Sequence, residues 1–283
     1  MKLPSPIVGC CIAVIISGFL TSRAAAANSP FAHPPTSYLL QVNGQTYREK
    51  SPNLRRPPAS LTKIMTALLI LEHGRMDEVV TVSAGASRET GSRIGLRRGD
   101  RLKVRDLLAA TLIASANDAA RALADHLGGS QKAFVKRMND RALSLKLQNT
   151  HFTNACGHDQ KGLYTSANDL AILSERALRI PLFAELVARR TMRITTLKGN
   201  RSYGLKNKNR LIGRYPGAQG VKTGTTPKAG KCLVALAERG DTKVLLVLMN
   251  ARNRWQTAPA MLDAGFAAGL EEKPAHQKNK EPD

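Results

Sequence analysis

From Ser60 to Glu72 the chain reads SLTKIMTALLILE, apolar on nearly every face of a helix. A surface helix keeps a polar side, whereas one that is apolar all round has to be buried on all sides. The fold must therefore wrap this segment. Ser60 and Lys63 lie at its start, directly after Pro57-Pro58-Ala59. Residues three apart on a helix share a face, with Cβ atoms about 5–6 Å apart. A hydroxyl and an amine would thus be held together in a buried setting. Serine is a weak nucleophile until a neighbouring base takes its proton, and lysine can be that base once its pKa is lowered.

Two further pieces follow in order: Ser115-Ala-Asn117 and Lys222-Thr-Gly224. Each is weak alone. Ser-x-x-Lys occurs once in the chain, about what chance allows at average composition. Ser-x-Asn also occurs at Ser51–Asn53 and Ser166–Asn168, while Lys-Thr-Gly occurs once. Each has a plain structural reading as well. Ser60, Ser115 and Ser166 all precede helical patterns and fit as N-caps, and Lys63 fits as a first-turn lysine. Lys222-Thr-Gly224 fits the end of a strand. The order and the gaps carry the weight, with 55 residues from Ser60 to Ser115 and 107 from Ser115 to Lys222.

With these motifs and the segments between them, the chain resembles the serine D-alanyl-D-alanine carboxypeptidases, low-molecular-mass penicillin-binding proteins. The resemblance runs from about Pro35 to Gly269 and includes PASLTKIMTALLILEHG, DLLAATLIASANDAARALADHLGG and KNKNRLIGRYPGAQGVKTGTT. It implies an α/β (α+β) penicillin-binding transpeptidase-like fold, an antiparallel sheet flanked by helices plus a helical lobe, with the site between them. It implies that Ser60 attacks the carbonyl of the terminal D-Ala-D-Ala bond of peptidoglycan stem peptides, with Lys63 as base and Ser115 relaying a proton. Asn117 would hold the stem-peptide amide, and Lys222 and Thr223 the terminal carboxylate. Gly224 would let substrate lie close to the strand, and Thr225 would share an oxyanion hole with Ser60. A cation such as Lys222 would help to depress Lys63. The partners implied are stem peptides as substrate and β-lactams as covalent inhibitors.

Departures from the family pattern set the alternatives. Cys156-Gly157-His158 stands where relatives carry a His-Gly-Leu-like turn. Many relatives have a second C-terminal β-domain and an amphipathic anchor, and the resemblance here ends near Gly269. Relatives of that short form include D,D-endopeptidases, which cut cross-bridges with the same serine machinery. A class A β-lactamase should carry Glu-x-x-x-Asn downstream, and neither Glu175 nor Glu185 has Asn four residues later. A zinc site could be imagined from His151, Cys156, His158 and Asp159. Against it stand the absence of H-E-x-x-H and a loop setting, so no metal and no cofactor are expected. A non-catalytic basic envelope-binding protein would explain the charge but not the ordered motifs.

The net charge of +22 over 283 residues favours polyanions. An apolar stretch from Ile7 to Leu20, preceded by Lys2 and followed by Arg23 and AAAA, reads as a secretory signal cleaved near Ala27. Removing residues 1–27 takes away Lys2, Arg23 and no acid, leaving +20. Export to the periplasm or medium, together with only 4% aromatic residues, argues against nucleic acid. Anionic envelope polymers are the expected electrostatic partner. The domain reading is a signal at 1–27, a catalytic domain at 28–270 and a polar disordered tail at 271–283 with no C-terminal membrane anchor. Of four cysteines, Cys156 and Cys232 would remain, and an exported setting permits a bridge between them.

The pattern predicts a hairpin around Asn43-Gly44 and helices at 106–114, 119–127, 132–147 and 169–178. It then predicts strands at MRITTL and GVKTGT, a hairpin turning at Arg239-Gly240-Asp241, and a last helix at 255–268. Strands at the two ends of the mature chain can join into one antiparallel sheet with helices packed on it.

Overall fold

A computed structural model describes residues 35–271. The expected leader at 1–27 and the tail beyond Glu271 lie outside the described residues.

Strands from both ends of this span meet in one sheet, as the pattern requires. The N-terminal hairpin is β1 (Ser37–Val42) and β2 (Gln45–Lys50), turning at Asn43-Gly44. The C-terminal strands are β7 (Ala218–Thr226), β8 (Gly230–Arg239) and β9 (Thr242–Met249). Together they form an antiparallel five-stranded sheet in the order β2-β1-β9-β8-β7. The alternation of β1 and the continuous apolar runs of β8 and β9 explain the order. β8 and β9 are buried along most of their length and take the centre, while β2 is exposed throughout and takes one edge. β7 forms the other edge, and it carries Lys222-Thr223-Gly224.

The all-apolar segment is buried as expected, but its first turn is not α-helical. Ala59–Thr62 is a 3₁₀ turn, and the α-helix α1 runs from Lys63 to His73. Leu61, Ile64, Met65 and Leu68 have no measurable exposure. Each such side chain contributes about 1.5–3 kcal/mol of burial. Helix α1 ends at Gly74 in the left-handed conformation, a position where glycine bears no Cβ penalty. Around α1 pack α3 (Val104–Ile113), α4 (Asn117–Gly128), α5 (Gln131–Ser144), α6 (Ala167–Leu178) and α7 (Pro181–Ala188). A short helix, α2 (Ala84–Ser87), packs on α4, and α8 (Arg254–Glu271) lies on β1, β8 and β9.

Three pieces escaped the sequence pattern. The hairpin β3 (Val79–Thr81) with β4 (Arg101–Lys103) consists of three-residue strands, too short for a period to register. Helix α7 is short, and its proline at the first turn gives only an entry signal. MRITTL is a strand, β5 (Thr191–Thr195), but it pairs with β6 (Ser202–Lys206) in a separate hairpin rather than joining the main sheet. Among the described residues no helix is long and apolar enough to cross a membrane.

Candidate active site

The three motifs converge in space. Lys63 has no exposed surface, and its Nζ lies 3.0 Å from Ser60 Oγ. The ammonium also donates to Asn117 Oδ1 at 2.6 Å and to the Cys156 carbonyl at 2.7 Å. Across the cleft Lys222, 2% exposed, donates to Ser115 Oγ at 2.8 Å and to the Thr223 carbonyl at 3.1 Å. Two hydroxyls are thus each paired with a buried lysine, one from the helical side and one from the strand.

The cap readings of Ser60 and Ser115 do not hold. The 3₁₀ turn is entered at Pro58 with no side-chain cap, and α4 is entered at Ala116 with none either. Ser166, in contrast, is an N-cap: its Oγ accepts from the Asp169 amide at 3.1 Å.

Backbone strain marks the same places. Ala59, immediately before Ser60, has φ +50°, and Ser115 has φ +59°. A non-glycine residue in this region costs on the order of 1–3 kcal/mol and persists only where its surroundings over-determine it. Ala59 is pinned by two glycines. A Cβ on Gly157 would fall 1.9 Å from the Ala59 carbonyl oxygen, and one on Gly224 would fall 3.0 Å from Ala59 Cβ and 3.1 Å from the Ser60 nitrogen. The missing Cβ of Gly224 lets β7 lie against the Ser60 backbone. At Gly157, which has φ +88°, a close approach and a left-handed turn coincide.

The electrostatics differ between the two lysines. Burial depresses the Lys63 amine to about 8, opposed by the negative field of Cys156, Glu89 and Asp118. Lys222 is held well below its ordinary value, first by burial and then by the charges of Lys63, Arg254 and Lys208. Desolvation is the leading cause at both amines, and two buried cations facing one cleft disfavour each other's charge. A cluster of cations around Lys222, with only neutral oxygens in hydrogen-bond contact, is suited to receive an anion.

The structure adds contacts that the motif spacing does not show. Arg254, at the start of α8, brings one Nη1 to the Gly224 carbonyl (2.6 Å), the Cys232 carbonyl (2.9 Å) and Thr225 Oγ1 (3.0 Å), fixing the end of the Lys-Thr-Gly strand. The Asp118 carboxylate accepts the amides of Ile94, Gly95 and Leu96. Asn117 Nδ2 donates to the Thr90 carbonyl at 2.6 Å, which fixes the orientation of the amide that faces Lys63. Asn154 Oδ1 accepts the amides of Cys156, Gly157 and His158 and shapes the turn that supplies Lys63's carbonyl. Arg254 and Asn154 lie far from the three motifs in sequence, so no spacing could reveal them, whereas Asn117 and Asp118 belong to the Ser-Ala-Asn-Asp stretch and only their partners are new.

Of the four imagined zinc ligands, two turn elsewhere. His151 Nδ1 pairs with the Gly162 carbonyl, and Asp159 binds Thr226 Oγ1 and the Lys228 amide. Cys156 and Cys232 are both free and buried, with no bridge between them.

A mixed α/β domain with this serine–lysine arrangement defines a class, the serine acyl-transfer enzymes of the penicillin-binding type. The chain belongs to the D-alanyl-D-alanine carboxypeptidase family of peptidases, whose family model matches residues 27–253. The D-alanyl-D-alanine carboxypeptidase DacF of Bacillus subtilis is 34% identical over 290 residues, covering 98% of this chain and 74% of its own length. A D-alanyl-D-alanine carboxypeptidase of Streptomyces sp. is 34% identical over 90% of this chain and 95% of its own. For DacD of Escherichia coli the identity is 34%, and the chain spans 63% of that relative. The crystal structure of a Streptomyces DD-transpeptidase superposes with a TM-score of 0.78 at 32% identity, covering 83% of this chain and 98% of that one.

Proposed function

We propose that this chain is a serine DD-peptidase that removes the terminal D-alanine from peptidoglycan stem peptides through an acyl enzyme on Ser60. The observation that carries this reading is the pairing of Ser60 Oγ with a fully buried Lys63 at 3.0 Å, opposite the Lys222–Ser115 pair.

Neutral Lys63 takes the Ser60 proton as Oγ attacks the carbonyl of the penultimate residue. An amine depressed to about 8 is partly neutral near physiological pH and remains basic enough to accept a proton. The developing oxyanion is received by the backbone N–H groups of Ser60 and Thr225, which Gly224 allows to approach; losing one such donor typically costs about 100–1,000-fold in rate. Ser115 relays to the leaving amine the proton that Lys63 took from Ser60, so that lysine and relay serine return to their starting forms. Lys222 and Thr223 hold the substrate's terminal carboxylate, whose charge the cation cluster around Lys222 welcomes. Asn117 bridges Lys63 and the stem-peptide amide. The substrate backbone runs along β7, the edge strand that carries Lys222-Thr223-Gly224. Water then releases the acyl group.

β-Lactams enter the same path and stay as adducts on Ser60. A labelled penicillin should mark the wild type, and Ser60→Ala should abolish the label; an undiminished adduct in the variant rejects the assignment. For Lys222, the decisive quantity is the ratio of kcat/KM for a free-acid substrate over its amide. Lys222→Gln should lower that ratio, and an unchanged ratio removes the carboxylate role.

The D,D-endopeptidase reading uses the same residues and differs only in the acceptor side of the peptide. A comparison of free pentapeptide with cross-linked muropeptides separates the two. We place the enzyme outside the cytoplasm, with residues 1–27 as a leader and 28–270 as the catalytic domain. The leader's composition and the +22 charge support this reading, the latter favouring contact with anionic envelope polymers. Recovery of the protein only with detergent, residues 1–27 still attached, would overturn the cleaved leader.

A further inference from the structure

One cluster beside the site takes no part in the acyl transfer. Glu89, Cys156 and His158 bring a carboxylate oxygen, a sulfur and an imidazole nitrogen within 4.8 Å of one another. The three come from two segments. Glu89 follows α2, and Cys156 and His158 flank Gly157 in the turn behind Lys63. The positive φ of Gly157 and the three amides bound by Asn154 Oδ1 turn both side chains toward Glu89.

We propose that Glu89, Cys156 and His158 form a binding site for a thiophilic divalent cation of the zinc type. One thiolate, one imidazole and one carboxylate are a borderline-soft donor set that suits Zn²⁺ or Co²⁺ and not Mg²⁺ or Ca²⁺. Bonds of about 2.0–2.3 Å in a tetrahedral site put ligand atoms about 3.5 Å apart. With every pair within 4.8 Å, none has to close by more than about 1.3 Å, and His158 Nε2 and Glu89 Oε2, now 2.9 Å apart, open slightly. His158 is partly exposed, which gives an entry path and leaves the fourth position to water.

Supporting contacts already orient the ligands. Glu89 Oε1 faces Arg121 Nη1 at 3.3 Å, leaving Oε2 for the ion, and Arg121 is anchored in turn by Asp125 at 2.7 Å. Such outer hydrogen bonds are a regular part of metal sites. The Cys156 sulfur lies 3.4 Å from the Asn117 carbonyl, its present acceptor, so metal binding exchanges that weak S–H contact for a bond.

The ion would clamp the two segments that carry Lys63's partners. The Cys156 carbonyl accepts from Lys63 directly, and Thr90, next to Glu89, holds Asn117 through its carbonyl. This is a positioning role, and it is independent of which peptide the enzyme cuts.

The test is Co²⁺ titration of the untagged protein, read by the thiolate-to-cobalt charge-transfer band in the near ultraviolet. One ion per chain should bind with that band. Cys156→Ser should lose the band while Cys232 remains. Glu89→Gln, which keeps the thiol and the turn, should keep the band but bind at least about tenfold more weakly, a loss that even outer-shell changes produce. Zn²⁺ should compete for the site and raise the melting temperature of the wild type but not of Cys156→Ser. No band in the wild type, a band that survives Cys156→Ser, or equal affinity in Glu89→Gln overturns the proposal.

Discussion

The chain contains the tetrapeptide Ser-Ala-Asn-Asp twice, at Ser115–Asp118 and Ser166–Asp169, and the two copies do opposite work. Both open a helix. At Ser166 the serine has φ −125° and ψ 165°, and its hydroxyl caps α6. The aspartate there takes the Asn149 amide and the Thr150 hydroxyl. At Ser115 the serine is forced to φ +59°, caps nothing and meets Lys222. Asn117 meets Lys63, and Asp118 collects three amides of the loop at Ile94–Leu96. The same four side chains cap a helix where the backbone is relaxed and build a site where the surrounding elements strain it. A motif's chemistry is set by what faces it.

The sharpest break in this comparison comes from the two serines. Ser115→Ala should lower turnover by about 100–10,000-fold, the range for a positioned proton-transfer group. Its denaturation midpoint should stay near wild type, because no cap is lost. Steady-state kinetics beside a melt checks both halves at once. A variant that loses its fold but keeps its specific activity would make Ser115 a cap after all.

The two asparagines come next. Asn117→Ala removes an acceptor from the Lys63 ammonium, a charge-assisted bond worth about 1.5–3 kcal/mol, so acylation should slow roughly 10–100-fold. The pH profile carries the sign. Lys63 acts as base when neutral, so the wild-type acid limb of kcat/KM should fall near pH 8, with rate lost tenfold per unit below it. Taking away Asn117 Oδ1 disfavours the charged form, lowers the amine further and should move that limb to lower pH. A limb that moves to higher pH would show that Asn117 does not stabilise the ammonium.

Smaller effects belong to the second copy. Ser166→Ala should cost about 0.5–2 kcal/mol, the loss of an N-cap, with kcat/KM unchanged. Urea unfolding measures it, and a large loss of turnover at wild-type stability would dissolve the distinction between the copies. Smallest of all is Asn168→Ala, partly exposed, whose backbone amide reaches the Pro52 carbonyl. It should stay within about 0.5 kcal/mol and leave the acid limb near 8. A limb displaced by more than half a pH unit would mean that this helix start reaches the site.

What the sequence determined by itself follows from local and periodic causes. The burial of the Ser60–Glu72 segment was legible because no polar face exists to turn outward. The joining of the end strands was legible from alternation and continuous apolar runs, and the hairpin at Asn43-Gly44 from its turn residues. Ser60, Lys63, Ser115 and Lys222 could be named as candidates because order, gaps and fit to a known family set them apart from the decoys. Only the tertiary structure decided the rest. It put β5 with β6 and away from the main sheet, because pairing depends on which edges remain open. It made burial the leading cause of the depressed Lys63 amine, because desolvation depends on everything packed around it. It brought Arg254 to the end of β7, 30 residues from Gly224. It set Glu89 beside His158, 69 residues away, where His151 and Asp159 had seemed the nearer partners. Sequence records the chemistry available at each position, and long-range packing, which no local spacing encodes, selects which groups meet.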